Sequence, residues 1–172
     1  MDPERAQFIA DIANDKWVDR VPKETSQEEF DRLGEEWERK CEDFLATVDS
    51  PEDIHLFAKL WNWDTGYAEL KRLLENPKCQ YATALLVFWR AGAEHYQSYA
   101  SADELPEGDE RDTYAFLREL ERKLLAGQFP NLGASYAPKE DAGMVLPPSA
   151  GASWKKWTIH EQLYEPVNPT DD

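Results

Sequence analysis

The stretch SQEEFDRLGEEWERKCEDFLATV, residues 26–48, decides the fold class of this chain. Its apolar residues recur every three or four positions, which is the spacing of one buried face on an α-helix. Ser26 followed by Glu29 has the pattern of a capping box at the helix start. The segment therefore predicts a long amphipathic helix. Its inward positions are Phe30, Leu33, Trp37, Cys41, Phe44, Leu45 and Val48.

The outer face of this predicted helix is acidic, as is the chain as a whole. The 172 residues carry a net charge of −16, yet they include seven Trp, seven Tyr and seven Phe. A highly charged chain with few aromatic residues would be disordered, but a hydrophobic fraction of 41% is enough for a packed core. The sequence thus predicts a folded acidic protein. The outward carboxylates of residues 26–48 are Glu28, Asp31, Glu35, Glu38 and Glu42.

This charge balance excludes some partners and favours others. Nineteen Lys and Arg face 35 Asp and Glu, so binding to nucleic acid or to an anionic membrane is not expected. A basic protein partner is favoured instead. No segment approaches the roughly 20 apolar residues of a membrane span, and residues 1–5 lack a basic signal region, which predicts a cytosolic location.

Local start and stop signals predict further helices along the chain. Ser50-Pro51 opens one, Asn62–Gly66 forms a tight turn, and Gly127 ends the last strong helix, which begins near Asp109. Residues 79–91 are apolar nearly all round, as in a central buried helix. Another helix is predicted to begin at Asp2-Pro3, with an apolar stripe that runs to Trp17. The remaining segments predict a short helix at residues 67–74 and one or two helical turns near residues 95–99.

Together these signals predict an all-α, single-domain bundle of about six or seven helices. Residues 1–127 form the expected helical core. Residues 128–172 form an irregular C-terminal segment packed on that core, because residues 127–152 are rich in Gly and Pro. Trp154 and Trp157 are expected to pin this segment, either as a short strand or as an extended anchor, and Lys155 and Lys156 between them are less suggestive of a cation or stacking site.

The reactive side chains form no catalytic pattern, so no catalytic, cofactor-binding or metal-binding residue is predicted. Cys41 and Cys79 lie in apolar helical patterns and are expected to be small buried hydrophobes rather than nucleophiles or a disulfide. The three histidines are far apart in sequence and favour ordinary surface or boundary positions over zinc ligation or base catalysis. They are His55, His95 and His160.

Adjacent carboxylates and one polar turn offer weaker candidates for chemistry. Glu35 with Glu36, and Asp109 with Glu110, have the composition of an acid/base pair, but solvated helix faces explain them better. The turn at 62–66 can be a ligand loop, although Asn, Asp and Gly satisfy local backbone groups without any ligand.

Residues 54–96 resemble a small bacterial family of domains of unknown function that is found among immunity proteins encoded beside toxic effectors. The residues and motifs that carry the resemblance are Phe57, Asn62-Trp63-Asp64, Gly66, Asn76-Pro77-x-Cys79, residues 82–86 (ATALL), and Phe88-Trp89-x-Ala91-Gly92. The resemblance implies a non-enzymatic partner of a toxin and transfers no catalytic residue to this chain.

The leading functional hypothesis is an immunity protein that binds and neutralises a toxin with a basic surface, with no cofactor. The resemblance implies an effector of type VI secretion as the toxin. A nuclease fits the charge of the chain, because a nuclease presents Lys and Arg to phosphates and an acidic face matches that surface. Two alternatives remain: a small carboxylate- or metal-dependent hydrolase, and an acidic adaptor or chaperone for a basic partner. The expected partner-binding residues are Glu35, Glu38, Glu42, Tyr99, Asp103, Glu104, Glu107 and Asp109.

Overall fold

The computed structural model describes residues 1–141 and 155–168. These residues form seven α-helices and no strand, which confirms the predicted all-α class. Their β structure is limited to an isolated antiparallel bridge between Tyr136 and Val167. The helices are α1 (Pro3–Asn14), α2 (Gln27–Thr47), α3 (Pro51–Leu60), α4 (Ala68–Leu74), α5 (Tyr81–Arg90), α6 (Ala93–Tyr96) and α7 (Asp109–Leu125).

The predicted starts and stops agree with the structure wherever a local side chain sets them. The Ser26 and Ser50 hydroxyls accept the backbone N–H groups of Glu29 and Asp53, at 3.3 and 3.2 Å. Gly127 follows α7 with a φ of +66°, a conformation that glycine adopts without strain. The capping box is only half formed, because the Glu29 carboxylate binds Arg32 instead of the Ser26 backbone.

Two helix bounds differ from the sequence prediction. The first helix ends at Asn14, before Trp17, because Asp15 takes the left-handed conformation that Asp tolerates better than most residues. The central helix begins at Tyr81 rather than Cys79, since the backbone of Gln80 is extended. Its apolar character is as predicted: residues 82–89 are all buried.

The predicted turn at residues 62–66 is confirmed. The Asn62 side chain accepts the N–H of Asp64 at 3.3 Å, and the Asn62 carbonyl accepts the N–H of Thr65 at 3.1 Å. Gly66 has a φ of +93° and its carbonyl accepts the indole N–H of Trp61 at 3.0 Å. Its polar groups therefore serve the local backbone, as the turn interpretation requires.

The chain divides into two compact units, residues 1–78 and residues 79–172. The first unit contains α1 to α4, and the second contains α5 to α7 with the described part of the C-terminal segment. The sequence-based division at residue 127, between a helical core and an irregular segment, remains a prediction.

A continuous series of aromatic rings forms the core of the first unit. The ring of Trp17 lies 5.5 Å from Phe30 and 6.3 Å from Trp37, and the two indoles are nearly parallel. From Trp37 the series continues through α1 and α2 to α3, with successive ring centroids 5.2–6.4 Å apart. Such neighbours add about 0.5–1.5 kcal/mol per pair to the burial of their surface. In order, the rings are Phe30, Trp17, Trp37, Phe8, Phe44, Phe57 and Trp61.

One buried carboxylate fixes the chain after α1. Asp11 is 3% exposed, and both of its oxygens accept hydrogen bonds from the Arg20 guanidinium. Burial acts to raise the pKa of Asp11, but the hydrogen bonds from Arg20 and Gln7 outweigh it, so that the pKa is lowered. The pair ties residues 18–20, a short 3-10 helix, to the buried side of α1.

The second unit is built around α5, which contacts α7 and α6. The C-terminal segment is anchored on these helices. Trp157 is buried, its ring makes edge contacts with Phe88 and Tyr114, and its indole N–H donates to Glu121 at 3.0 Å. The indole N–H of Trp89 donates to the carbonyl of Leu163 at 2.8 Å.

The backbone of this segment is also bound. The N–H groups of Lys156 and Trp157 both donate to the carbonyl of Gln97, at 2.7 and 3.0 Å. Trp157 therefore acts as the expected anchor in an extended segment, not in a strand. Trp154 and residues 142–152 of the Gly- and Pro-rich stretch lie outside the described residues. In the described part of the chain, no helix has both the length and the apolar character needed to cross a membrane.

Replacing Asp11 by Asn is expected to lower the free energy of unfolding at pH 7 by about 1–3 kcal/mol, because a buried, charge-assisted bond is lost. Since the folded pKa of Asp11 is lowered, its stabilisation is present above the unfolded pKa of about 3.9 and is lost as the pH falls through the folded value. Urea unfolding followed from pH 7 down to pH 2 should therefore show a difference between variant and parent that is largest above about pH 4 and shrinks as the pH falls.

The matched control is Asp19→Asn, which removes an exposed carboxylate 3.7 Å from Lys16. This variant should unfold like the parent across this pH range, because exposed ion pairs contribute little. Equal stability of the Asp11→Asn variant and the parent at pH 7 would contradict the role given to Asp11.

Candidate binding groove

A groove of about 690 Å³ opens on the first unit. One wall is α2, and the other walls are the end of α1 with the residues that follow it and the stretch between α3 and α4. A volume of this size accommodates a few side chains, since small-ligand sites have about 300–1,000 Å³. Every lining residue belongs to residues 11–69.

The α2 wall carries three of the carboxylates expected to bind a partner. Glu35, Glu38 and Glu42 all line the groove and are exposed. Their spacing of three and four residues places them along one side of the helix, one turn above another. The structure thus brings together the three helical residues of the predicted site.

The apolar part of the lining includes three indoles. Trp17 and Trp61 are each 7% exposed, and Trp37 is half-buried. All three belong to the aromatic series of the core, so their positions are fixed by the packing of α1, α2 and α3. The groove therefore combines an aromatic lining, of which Trp37 is the most exposed part, with exposed carboxylates at its edge. The ammonium of Lys40 lies over the Trp37 ring, 3.9 Å from its centroid.

The lining is strongly negative: six carboxylates face one guanidinium, that of Arg39. Two of the six have partners, because Asp11 binds Arg20 and Glu42 binds Arg72 at 2.6 Å. The others make no ion pair with any residue that the structure describes. These four are Asp15, Glu35, Glu38 and Glu69.

The thiol of Cys41 lies inside the groove, and the negative charge of the lining affects its pKa. Burial raises its pKa to about 12, and the carboxylates of Glu69 and Glu42 add to the rise. Cys41 is only half-buried, so the expectation that it is a buried hydrophobe is wrong in part: its side chain lines the groove. Cys79 is buried as expected, and burial raises its pKa to about 12 as well.

The predicted acidic loop lies in the second unit, and the structure gives two of its residues internal partners: Glu107 lies 3.9 Å from Arg111, and Glu104 binds Lys156. The Glu104 carboxylate accepts hydrogen bonds from the Lys156 ammonium at 2.9 Å and from the Ala100 N–H at 3.2 Å, and these bonds lower its pKa. Glu104 therefore helps to hold the C-terminal segment. Asp103, Glu107 and Asp109 are exposed.

Tyr99, the expected aromatic anchor, is half-buried in the second unit. Its ring lies 6.1 Å from His95 and 6.3 Å from Tyr96, and its carbonyl accepts the Tyr114 hydroxyl at 3.4 Å. The tyrosine thus belongs to a cluster of rings around the end of α6, in a different unit from the groove.

The three histidines are dispersed, as their sequence spacing predicts. His160 caps a short 3-10 helix, because its Nδ1 accepts the N–H of Gln162 at 3.2 Å. His55 is half-buried on α3, and His95 is exposed at α6. Within residues 1–141 and 155–168, no three His, Cys, Asp or Glu side chains are grouped so that they could hold a metal ion.

Sequence reasoning missed half of the groove. Asp11, Asp15, Trp17, Trp61 and Glu69 join it only through the tertiary fold. Their sequence patterns predict core positions or ordinary polar surface, so no local signal connects them to α2. The interruption of α1 at Asp15 is the one local feature that sets residues 15–17 apart.

Comparison with known proteins gives a partial match. A family described as "Domain of unknown function (DUF4274)" matches residues 49–125. No curated protein and no solved structure matches the chain. The matched segment begins after α2, so the acidic wall of the groove lies outside it, whereas Trp61 and Glu69 lie inside it.

Neither thiol is expected to react readily in the folded chain. A pKa of about 12 leaves about one thiolate in ten thousand at pH 8, so alkylation of Cys41 should be about a thousandfold slower than that of free cysteine. Mass spectrometry after iodoacetamide treatment, with the urea-unfolded chain as control, measures this difference. Fast labelling of native Cys41 at pH 8 would show a reactive thiolate and support an enzymatic nucleophile.

Proposed function

We propose that this chain is a non-enzymatic immunity protein that binds and neutralises a toxin with a basic surface, through the groove of its first unit. The observation that carries the proposal is the lining of that groove: four carboxylates that make no ion pair with any described residue lie beside the half-buried indole of Trp37. Such a lining suits recognition of a cationic protein surface better than bond-breaking chemistry.

The proposed mechanism of neutralisation is occlusion of the toxin's basic surface. The overall charge of −16 steers a basic protein towards this chain, and the groove carboxylates bring it into register. Trp37, the half-buried indole of the lining, would then provide apolar contact that slows dissociation, because aromatic anchors carry much of the affinity at interfaces. A nuclease fits this mechanism, since the lysines and arginines that bind phosphates are the groups that the carboxylates would cover.

The biological setting of the proposal comes from the resemblance of residues 54–96 to domains found among immunity proteins. In size and acidity the chain is similar to TsiT, the type VI secretion immunity protein that neutralises the nuclease effector TseT. We place the proposed activity in the cytoplasm, where a nuclease effector meets nucleic acid.

Neutralisation can be tested by co-expression with the product of the neighbouring gene. Growth of the host and formation of a complex should both depend on Glu35 and Glu38. The double variant Glu35→Lys, Glu38→Lys is expected to slow association by about 10- to 100-fold at low salt and to abolish protection, because it reverses the charge that steers the partner. A control with the same charge change is Glu28→Lys, Asp43→Lys, at exposed α2 positions outside the groove.

The acidic loop of the second unit provides the competing assignment. The triple variant Asp103→Lys, Glu107→Lys, Asp109→Lys leaves Glu104 with its partner Lys156 and should retain protection. Protection lost in the loop variant and kept in the groove variant would refute the groove as the binding site. A complex that forms without protecting growth would instead indicate an adaptor or chaperone.

A further inference from the structure

Residues 155–168, here called the strap, lie on the second unit with little secondary structure of their own. Apart from one short 3-10 helix, they are irregular, and their main chain bonds to the helical part of the unit. The Trp157 N–H donates to the Gln97 carbonyl at 3.0 Å, and the Leu163 carbonyl accepts the indole N–H of Trp89 at 2.8 Å. Gln97 and Trp89 are buried, so the strap satisfies polar groups that water does not reach.

The side chain of Trp157 occupies a pocket of defined chemistry. Its ring makes edge contacts with Phe88 of α5 and Tyr114 of α7, with centroids 6.0 and 5.7 Å apart. The Arg118 guanidinium lies over the same ring, 4.7 Å from its centroid, and the buried Glu121 carboxylate accepts the indole N–H. Aromatic edges, a cation and a hydrogen-bond acceptor therefore all match an indole.

The rest of the strap adds further side-chain contacts. Ile159 and Leu163 are buried, whereas Thr158 is exposed, and the Lys156 ammonium lies 2.9 Å from the Glu104 carboxylate. In peptide recognition, main-chain hydrogen bonds give affinity for an extended chain, and pockets for single side chains give specificity. The strap shows both kinds of contact.

The helices that receive the strap also pack on one another. Helix α5 contacts α6 and α7, and α6 contacts α7. The segment that matches the family ends at residue 125, the last residue of α7, so the strap lies beyond it. These helices therefore form a scaffold within the family segment, and the strap is added to that scaffold.

We propose that α5, α6 and α7 form a peptide-binding site, and that the strap is the occupant that the chain itself supplies. The ligand is an extended peptide with a lysine–tryptophan pair and aliphatic side chains two and six positions after the tryptophan. The covalent link keeps the strap at a high effective concentration and the site filled. A separate peptide of this pattern exchanges with the strap once the link is cut. This site is in a different unit from the groove and is independent of the proposed immunity function.

Cleavage of the folded full chain tests whether the strap is a separable ligand. A protease recognition sequence is inserted between Ala150 and Gly151, the protein is cleaved, and an excess of fluorescently labelled peptide 151–172 is added. The cleaved chain should keep its helical circular dichroism and take up the labelled peptide, which raises the fluorescence anisotropy. The uncleaved chain is the control and should take up little peptide, because its linked strap competes.

Substitutions placed only in the added peptide test the pocket without affecting the folding of the protein. Trp157→Ala should weaken uptake at least about 100-fold, because the indole pocket is left empty. Lys156→Ala should weaken it less than about fivefold, since its pair with Glu104 is exposed. The matched control, Thr158→Ala, changes the exposed residue beside the tryptophan and should leave uptake unchanged.

Two results would overturn the inference by showing that the strap is an inseparable part of the core. One is loss of the helical signal when the link is cut. The other is uptake of the labelled peptide no faster than global unfolding of the cleaved chain, measured by urea jump. Equal uptake of the parent and Trp157→Ala peptides would also overturn it, because the pocket would then have no preference for an indole.

Discussion

The contacts between Trp17, Trp37 and their neighbouring rings determine the arrangement of the first unit. These contacts join α1, α2 and α3, and the position of Trp37 fixes the rotation of α2 about its axis. Because a helix is rigid, the rotation also fixes where Glu35, Glu38 and Glu42 point. The packing that buries the aromatic rings therefore also sets the positions of the exposed carboxylates.

This arrangement shows how a chain with a net charge of −16 keeps an ordered core. Ion pairs compensate some carboxylates, as in Asp11 with Arg20 and Glu42 with Arg72. Four carboxylates that make no ion pair with any described residue line a groove open to solvent. Like charges in one groove repel each other and oppose compaction. A bound cation would reduce that repulsion. The same carboxylates therefore account for the repulsion in the free chain and for its proposed preference for a basic partner.

The helices were predictable because the residues that start and end them act locally. The groove was not predictable, since the residues that line it are distant in sequence. Ser26, Ser50 and Gly127 act on their own backbone neighbourhood and mark helix ends that the structure reproduces. The spacing of Glu35 and Glu38 places them on one side of α2. No local pattern reveals that Glu69 lines the same groove, or that Glu104 pairs with Lys156, 52 positions away. Cys41 is partly exposed because it lines the same groove, and the helical pattern of α2 alone does not predict that groove.

A nitrogen-15 NMR titration of the full chain tests the central claim most directly, that the groove of the first unit is where cations bind. Each of the seven tryptophans gives one indole N–H signal, so the groove and the second unit are observed in the same spectrum. On addition of a cationic heptapeptide that alternates glycine with three arginines, the signals of Trp17, Trp37 and Trp61 should shift, and those of Trp89 and Trp157 should stay in place. Shifts confined to Trp89 and Trp157, or no indole shift at saturating peptide, would contradict the account.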